Sequence, residues 1–299
     1  MLSINSTSFH DLISYLSDDA RLLEHDFISE ITPLLHKNND IDKACYDKYD
    51  VKIGLRNKNG TGVRVGLTHI ADVRGYDIDE NKKKIPIPGK LFYRGINVED
   101  IVNSVIRENR FGYEEVSYLL LFGELPDRKH LENYTKLLGL RRELPPYFTR
   151  NMIMASPSRS IMNQIARNIL ALYAYDDKAD DTSLENVLRQ SILLISCFPT
   201  IAAYSYQAKC SHFYNQSLHL HYPLPELSTA ENILRLIRPM GEYTELEAHL
   251  LDIAMILHAE HGGGNNSTFT THLVSSTGTD TYSAISAAVG SLKGPKHGG

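Results

Sequence analysis

Between Leu184 and Tyr206 the chain reads LENVLRQSILLISCFPTIAAYSY, a stretch so apolar that it predicts a central, buried helix. Pro199 lies inside it. Proline has no N–H and its ring crowds the preceding turn, so a kink or break is expected there. A buried helix needs other elements around it. At 299 residues, with 42% apolar content, the chain is long enough for one large domain or two ordinary ones with a full core. No internal repeat or low-complexity segment is visible.

Composition narrows the classes. No 18-residue apolar run is expected to offer a membrane helix. The opening MLSINSTSFHDLISYL carries His and Asp early, unlike a signal peptide. Cys45, Cys197 and Cys210 have neither metal nor redox spacing; two of them lie in or near the apolar helix, where buried thiols are expected, and a cytosolic setting fits. A net charge of −5 argues against a nucleic-acid partner.

Residues 1–50 read as short polar helices and 37–43 as polar linker. Residues 51–96 form the β region. Val63, Val65 and Leu67 alternate as one strand, residues 79–89 with two prolines read as turn material, and Lys90–Arg94 is the second strand, ending in Tyr93-Arg94-Gly95. Beyond Gly95 the pattern is helical. Asn97, Asp127 and Asp280 are expected N-caps. Tyr113–Phe122 places Val116, Leu119 and Leu120 on one face before Gly123 and Pro126 end it. Leu131, Tyr134 and Leu138 point inward on the next helix, closed by Gly139. Residues 219–227 read as a loop. Thr244-Glu-Leu-Glu247 has the form of a capping box, after which Leu246, Leu250, Ala254 and Leu257 trace one face of a helix to about Glu260. Asn266 or Ser267 is the expected cap of the following helix. On the last helix Ser283, Ala284, Ala287, Ala288 and Ser291 permit close packing. The fold class is mainly α with a small β element near the N-terminus.

Two histidines stand where a helix meets a glycine-bearing turn: His261 in LHAEHGGGNNST and His297 in LKGPKHGG. Glycines let a ligand approach backbone closely, and imidazole moves protons near neutral pH. The next helix opens with unpaired N–H groups suited to a carboxylate or carbonyl oxygen. Imidazole with converging donors suits enol or enolate chemistry, in which negative charge grows on a carbonyl oxygen. Each feature has an ordinary reading too: a histidine before a glycine is a common helix end, and Gly-Pro a common turn. His258 and His272 read as helix-face residues and Glu260 as a solvated helix-end carboxylate. Other motif readings lack context. An HGGG oxyanion loop needs a G-x-S-x-G elbow, HAEH is not HExxH, and GGGNNST lacks a phosphate-loop lysine.

Taken together, LHAEHGGGNNSTFTTHLVSSTGTDTYSAISAAVGSLKGPKHGG resembles the catalytic segment of citrate synthases, and KLFYRGINVEDI, FGYEEVSYLLLFGELP and SILLISCFPTIAAYSY agree with it. The resemblance runs from about Gly66 to Gly299. It implies condensation of acetyl-CoA with oxaloacetate to give citrate and CoA, as in the tricarboxylic acid cycle, with no cofactor beyond the substrates and no metal. His261 corresponds to the histidine that hydrogen-bonds the thioester oxygen during enolisation. His297 corresponds to the one that polarises and protonates the oxaloacetate carbonyl, so the two are expected to share a cleft. Gly262, Asn265, Lys293, Gly294 and Lys296 are the implied substrate-binding residues. Thr229 stands where the family often has a histidine. The family's proton-abstracting aspartate and its carboxylate-binding arginines are expected past Gly299, so the chain reads as truncated and inactive alone. The resemblance further implies a homodimer in the full-length form, and the composition points to a cytoplasmic protein without nucleic-acid or membrane partners. Residues 1–262 would form most of the large domain and 263–299 the start of the small one. A 2-methylcitrate synthase using propionyl-CoA and a non-catalytic helical interaction module are the alternatives.

Overall fold

A computed structural model of the chain describes residues 68–80, 83–295 and 297, with a few isolated residues and one short helix before them. The chain divides into two compact units, residues 1–61 and 62–299. In the first, the described helix is α1 (Ala44–Lys48), preceded by Asp42, whose carboxylate accepts the Ala44 N–H at 2.9 Å. The remaining expectations for residues 1–50, together with Val65, Leu67 and Lys296, lie outside the described residues.

The second unit opens with a three-stranded antiparallel sheet: β1 (Ala71–Ile78), β2 (Lys84–Tyr93) and β3 (Ile96–Asn97), in that order. This corrects the strand positions read from sequence. Val63 has no regular structure, and the supposed turn contributes most of β2, including Pro86 and Pro88. β3 reaches only Phe92 and Tyr93, so β2 is an edge strand at its prolines, where missing donors are tolerated.

Nine described α-helices follow, from α2 (Val98–Arg107) and α3 (Tyr113–Phe122) through α4 (Arg128–Leu140), α5 (Ile161–Ala171), α6 (Leu184–Tyr214), α7 (Thr229–Ile237), α8 (Glu245–His258), α9 (Asn266–Ser275) and α10 (Thr281–Leu292), with a π-helical turn Thr149–Met154 before α5 and a 3-10 turn Leu172–Tyr175 after it. Local chemistry explains most ends. Asn97, Asp127 and Asp280 each accept a first-turn N–H, as expected, and Gly123 ends α3 in the left-handed conformation at φ +90°. Gly139 does not close α4. It lies within the helix, where a Cβ would stand 2.3 Å from the Pro225 carbonyl oxygen, so its role is close packing.

α6 runs unbroken through Pro199. By length and mean hydropathy it is apolar enough to cross a membrane, against the expectation of no such segment, yet its buried side includes Gln190, Thr200, Ser205 and Gln207. Most of these polar atoms find protein partners, the Gln190 amide oxygen excepted: Thr200 donates to the Arg142 carbonyl and Gln207 to the Ile237 carbonyl. A core helix satisfies its polar groups this way. Around its Leu194 and Ile201 gather Ile165, Ile169, Leu236 and Tyr282. α10 lies against α5, where Ser286 donates to the Ala166 carbonyl at 2.8 Å, and small residues such as Ala284 and Ala288 are buried. A second apolar cluster joins the sheet to α2, α3 and α8 through Tyr93, Val105, Val116, Leu119 and Ile256.

Candidate active site

The site begins with α8. The capping box is present: Thr244 accepts the Glu247 N–H, and the Glu247 carboxylate accepts the Thr244 N–H. Glu247 also meets Arg238 at 2.6 Å, and that hydrogen bond with the two from Thr244 holds its carboxyl down at about 2. The buried side of the helix is Ala248, Asp252 and Ile256. The Leu246–Leu250–Leu257 face traced from sequence looks outward, at 69%, 58% and 44% exposure.

No sequence motif marks Asp252. It is fully buried and accepts the N–H groups of Gly112 at 2.8 Å and Tyr113 at 3.1 Å, so a side chain of α8 caps α3. Burial pushes its carboxyl up to about 6, against the pull of those two N–H groups.

α8 ends at His258, short of the expected Glu260, and the Tyr93 hydroxyl sits at its end. The chain then turns. Glu260 is not simply solvated, since its Oε1 accepts the N–H of His261 at 3.1 Å and of Gly262 at 2.6 Å. Gly262 has φ +103°, a conformation that L side chains resist. The glycine turn lies over the sheet side of the unit: a Cβ on Gly262 would stand 3.8 Å from Val73, and one on Gly263 3.5 Å from Thr68.

α9 is capped by Asn265 rather than by Asn266 or Ser267. Asn265 Oδ1 accepts the Ser267 N–H at 2.8 Å, which fills one of the first-turn donors reserved in the sequence reading for a ligand. That bond fixes which way the amide faces. Its Nδ2 therefore points at His261 Nε2, 2.6 Å away. An amide nitrogen only donates, so Nε2 accepts, and the imidazole in this arrangement is neutral with its proton on Nδ1. His261 itself is exposed. The turn thus presents one imidazole N–H donor that Asn265 leaves free.

His297 follows α10 in a separate turn, where its N–H donates to the Gly294 carbonyl at 2.9 Å. His297 and Lys293 are exposed. Among the described residues no hydrogen bond or ring contact joins the two histidine turns. His258 and His272 occupy helix faces as expected, and His258 Nδ1 bonds the Ala254 carbonyl at 2.7 Å.

Thr229, the first residue of α7, donates its N–H at 2.7 Å and its hydroxyl at 2.8 Å to one oxygen of Glu114. Glu114 and Arg142 are both buried, 3.9 Å apart, and Arg142 also donates to the carbonyls of Leu224 and Leu227. Sequence reasoning missed Glu114 as the partner of Thr229, because no spacing announces a contact across 115 residues. Beside Thr229 and Tyr113 lies an apolar cavity of about 620 Å³, walled by Leu194, Phe198 and Ile233; neither catalytic candidate lines it.

A family model described as "Citrate synthase, C-terminal domain" matches residues 58–299. The chain belongs to the citrate synthase family. It is 32% identical over 215 residues to a citrate synthase of Haloferax volcanii, covering 71% of this chain and 53% of that protein. It is 30% identical over 244 residues to 2-methylcitrate synthase 2 of Corynebacterium glutamicum, covering 80% and 59%. Among solved structures, Pyrobaculum aerophilum citrate synthase aligns with TM-score 0.64 and 29% identity over 83% of this chain and 59% of its own. A Thermoplasma acidophilum citrate synthase, in ternary complex with carboxymethyl coenzyme A and oxaloacetate, aligns with TM-score 0.64 and 26% identity over 79% and 55%. The mainly helical fold with its small sheet accords with these citrate synthases. The chain spans about half the length of the curated relatives it matches.

Proposed function

We propose that the chain carries the histidine-bearing part of a citrate synthase site, which joins acetyl-CoA to oxaloacetate and releases citrate and CoA. The observation that carries this reading is the His261 turn. A neutral imidazole with Nδ1–H directed away from its Asn265 partner is suited to hydrogen-bond a thioester oxygen as negative charge grows there. In the reaction a base removes a methyl proton from acetyl-CoA, and the new carbon nucleophile attacks the ketone of oxaloacetate. Water then cleaves the thioester of citryl-CoA. His297, by its motif, polarises and protonates the ketone oxygen. Gly262, Asn265, Lys293, Gly294 and Lys296 are the proposed substrate-binding neighbours. Glu260 is a poor candidate for the base, since Oε1 already holds two backbone N–H groups. Side-chain acid–base chemistry accounts for the steps without a further cofactor.

Relatives of both substrate preferences match the chain, so propionyl-CoA is the alternative acyl donor. One methylene alters binding by only ~1–3 kcal/mol, and acetyl-CoA remains the preferred reading. We also propose a cytoplasmic homodimer. The free cysteines fit a reducing compartment, and exposed Leu246, Leu250 and Leu257 offer an apolar stripe for a second copy. Residues 1–262 and 263–299 are proposed as parts of the large and small domains.

The test is oxaloacetate-dependent release of CoA thiol by a protein carrying these residues, with acetyl-CoA and propionyl-CoA compared. His261→Ala and His297→Ala should each lower kcat by ~10²–10⁴-fold, the usual range for acid–base groups. No thiol release, or release undiminished by both substitutions, overturns the reading.

A further inference from the structure

In a regular helix the N–H of Glu260 would bond the carbonyl of Ile256, four residues back. Here a phenol stands in that bond. The Tyr93 hydroxyl oxygen lies 2.7 Å from the Ile256 carbonyl oxygen and accepts the Glu260 N–H at 3.3 Å. The Glu260 carbonyl oxygen is 3.1 Å from the same hydroxyl. A hydroxyl has one proton and two acceptor sites, so it takes the N–H and gives its proton to a carbonyl, the nearer being that of Ile256. Ala259 still has helical angles, φ −64° and ψ −36°, so the backbone before the interruption would allow another turn. A side chain inserted into the helical hydrogen-bond ladder is a sufficient cause for the helix to end.

We propose that Tyr93 is a positioning residue for His261, ending α8 by inserting its hydroxyl between Ile256 and Glu260. The proposal deepens the functional reading, on which only its turnover arm rests. The ring is well placed for this role. Tyr93 has no exposed surface, its backbone pairs with Ala71 on one side and Ile96 on the other, and its ring packs among Val98, Ile101 and Val116. The hydroxyl is therefore held by the sheet rather than by the helix it interrupts. From Glu260 the geometry passes on directly, because the carboxylate of that residue holds the N–H groups of His261 and Gly262, and Asn265 then meets the imidazole. Without the hydroxyl, the Glu260 N–H can turn to the Ile256 carbonyl, which then holds only the long 3.4 Å bond from the Ala259 N–H. The helix would then extend toward His261 and rotate its side chain away from Asn265.

The test is Tyr93→Phe, which keeps the ring and removes one oxygen. The protein is labelled with ¹⁵N-histidine, and the His261 tautomer is read from long-range ring couplings. The unaltered protein should show Nδ1 protonated and Nε2 free. In Tyr93→Phe this pattern should give way to mixed tautomers, and kcat should fall on the order of 10–100-fold with KM nearly unchanged, the scale expected for a small misplacement of a reacting group. Val116→Ala, in the same apolar cluster, controls for general loosening: it should lower the unfolding temperature and leave the His261 spectrum unchanged. An unchanged His261 spectrum in Tyr93→Phe overturns the proposal, as does an equal change in Val116→Ala. The turnover arm uses a protein that carries these residues together with a proton-abstracting base; if that protein shows no turnover before substitution, the functional reading fails, and the spectrum still decides the role of Tyr93.

Discussion

Asn265 Nδ2 faces His261 Nε2 at 2.6 Å, while the Oδ1 of the same amide accepts the Ser267 N–H that opens the following helix. One side chain thus performs two tasks, capping α9 and setting the imidazole tautomer. The cap makes the second task reliable, because a flipped amide would turn its NH₂ toward the Ser267 N–H.

Asn265→Ala should therefore show two effects. Loss of an N-cap costs ~0.5–2 kcal/mol, measurable by denaturant unfolding. His261 Nε2 also loses its donor, and ring ¹⁵N shifts should report a redistributed tautomer. Asn265→Asp keeps the cap but offers an acceptor to Nε2, so it should favour protonation there. Identical His261 spectra in all three proteins would remove Asn265 from the site.

Asp252 gives a pH dependence of defined sign. Its folded carboxyl is raised by burial to about 6 from an ordinary value of 3.8. The folded state therefore holds this proton more tightly than the unfolded chain does. The associated stability is fully present below about pH 3.8 and is lost as pH rises through about 6. Two pKa units correspond to roughly 3 kcal/mol as an order of magnitude. Asp252→Asn, which cannot ionise, should lack this fall, so the stability difference between variant and parent should move in the variant's favour from pH 4 to pH 7, even though its amide replaces only one of the two acceptors. Parallel curves across that range would count against a buried, titrating Asp252.

Gly112 allows the approach of α2 and α8 to the start of α3. A Cβ there would stand 2.4 Å from Val105 Cγ2 and 3.1 Å from Ile256 Cδ1. Gly112→Ala is expected to destabilise by ~1–3 kcal/mol through overpacking. The companion Gly112→Ala/Val105→Ala should recover part of that loss if the clash is the cause. Thermal unfolding of the three proteins checks this.

Arg142 and Glu114 form a buried pair with unequal claims. Burial depresses the Arg142 guanidinium and the Glu114 charge opposes that shift. Arg142→Met removes the donors that hold the Leu224 and Leu227 carbonyls and leaves Glu114 without its cation, a loss of ~3–5 kcal/mol for broken buried pairs. Adding Glu114→Gln should reduce that penalty by neutralising the stranded charge. Strict additivity in a denaturant double-mutant cycle would show that the two side chains do not interact.

Much of this chain is legible from short-range chemistry. The caps at Asn97, Asp127, Thr244 and Asp280, the left-handed stop at Gly123 and the apolar length of α6 depend on residues within a few positions of one another, so they survive any tertiary arrangement. The motif around His261 carries its family in the same local way. The misread features have a different origin. Whether Pro86 and Pro88 stand in a strand depends on which edge β3 leaves unpaired, and whether Leu250 faces the core depends on what surrounds α8. The end of α8 is decided by a phenol 163 residues earlier in the chain, and the cap of α3 by a carboxylate 140 residues later. Residue types and spacings set which groups can donate, accept or bury. Only folding brings Tyr93 to Glu260, Asp252 to Gly112 and Glu114 to Thr229, because hydrogen bonds and desolvation act at contact distance and the chain records no such distances.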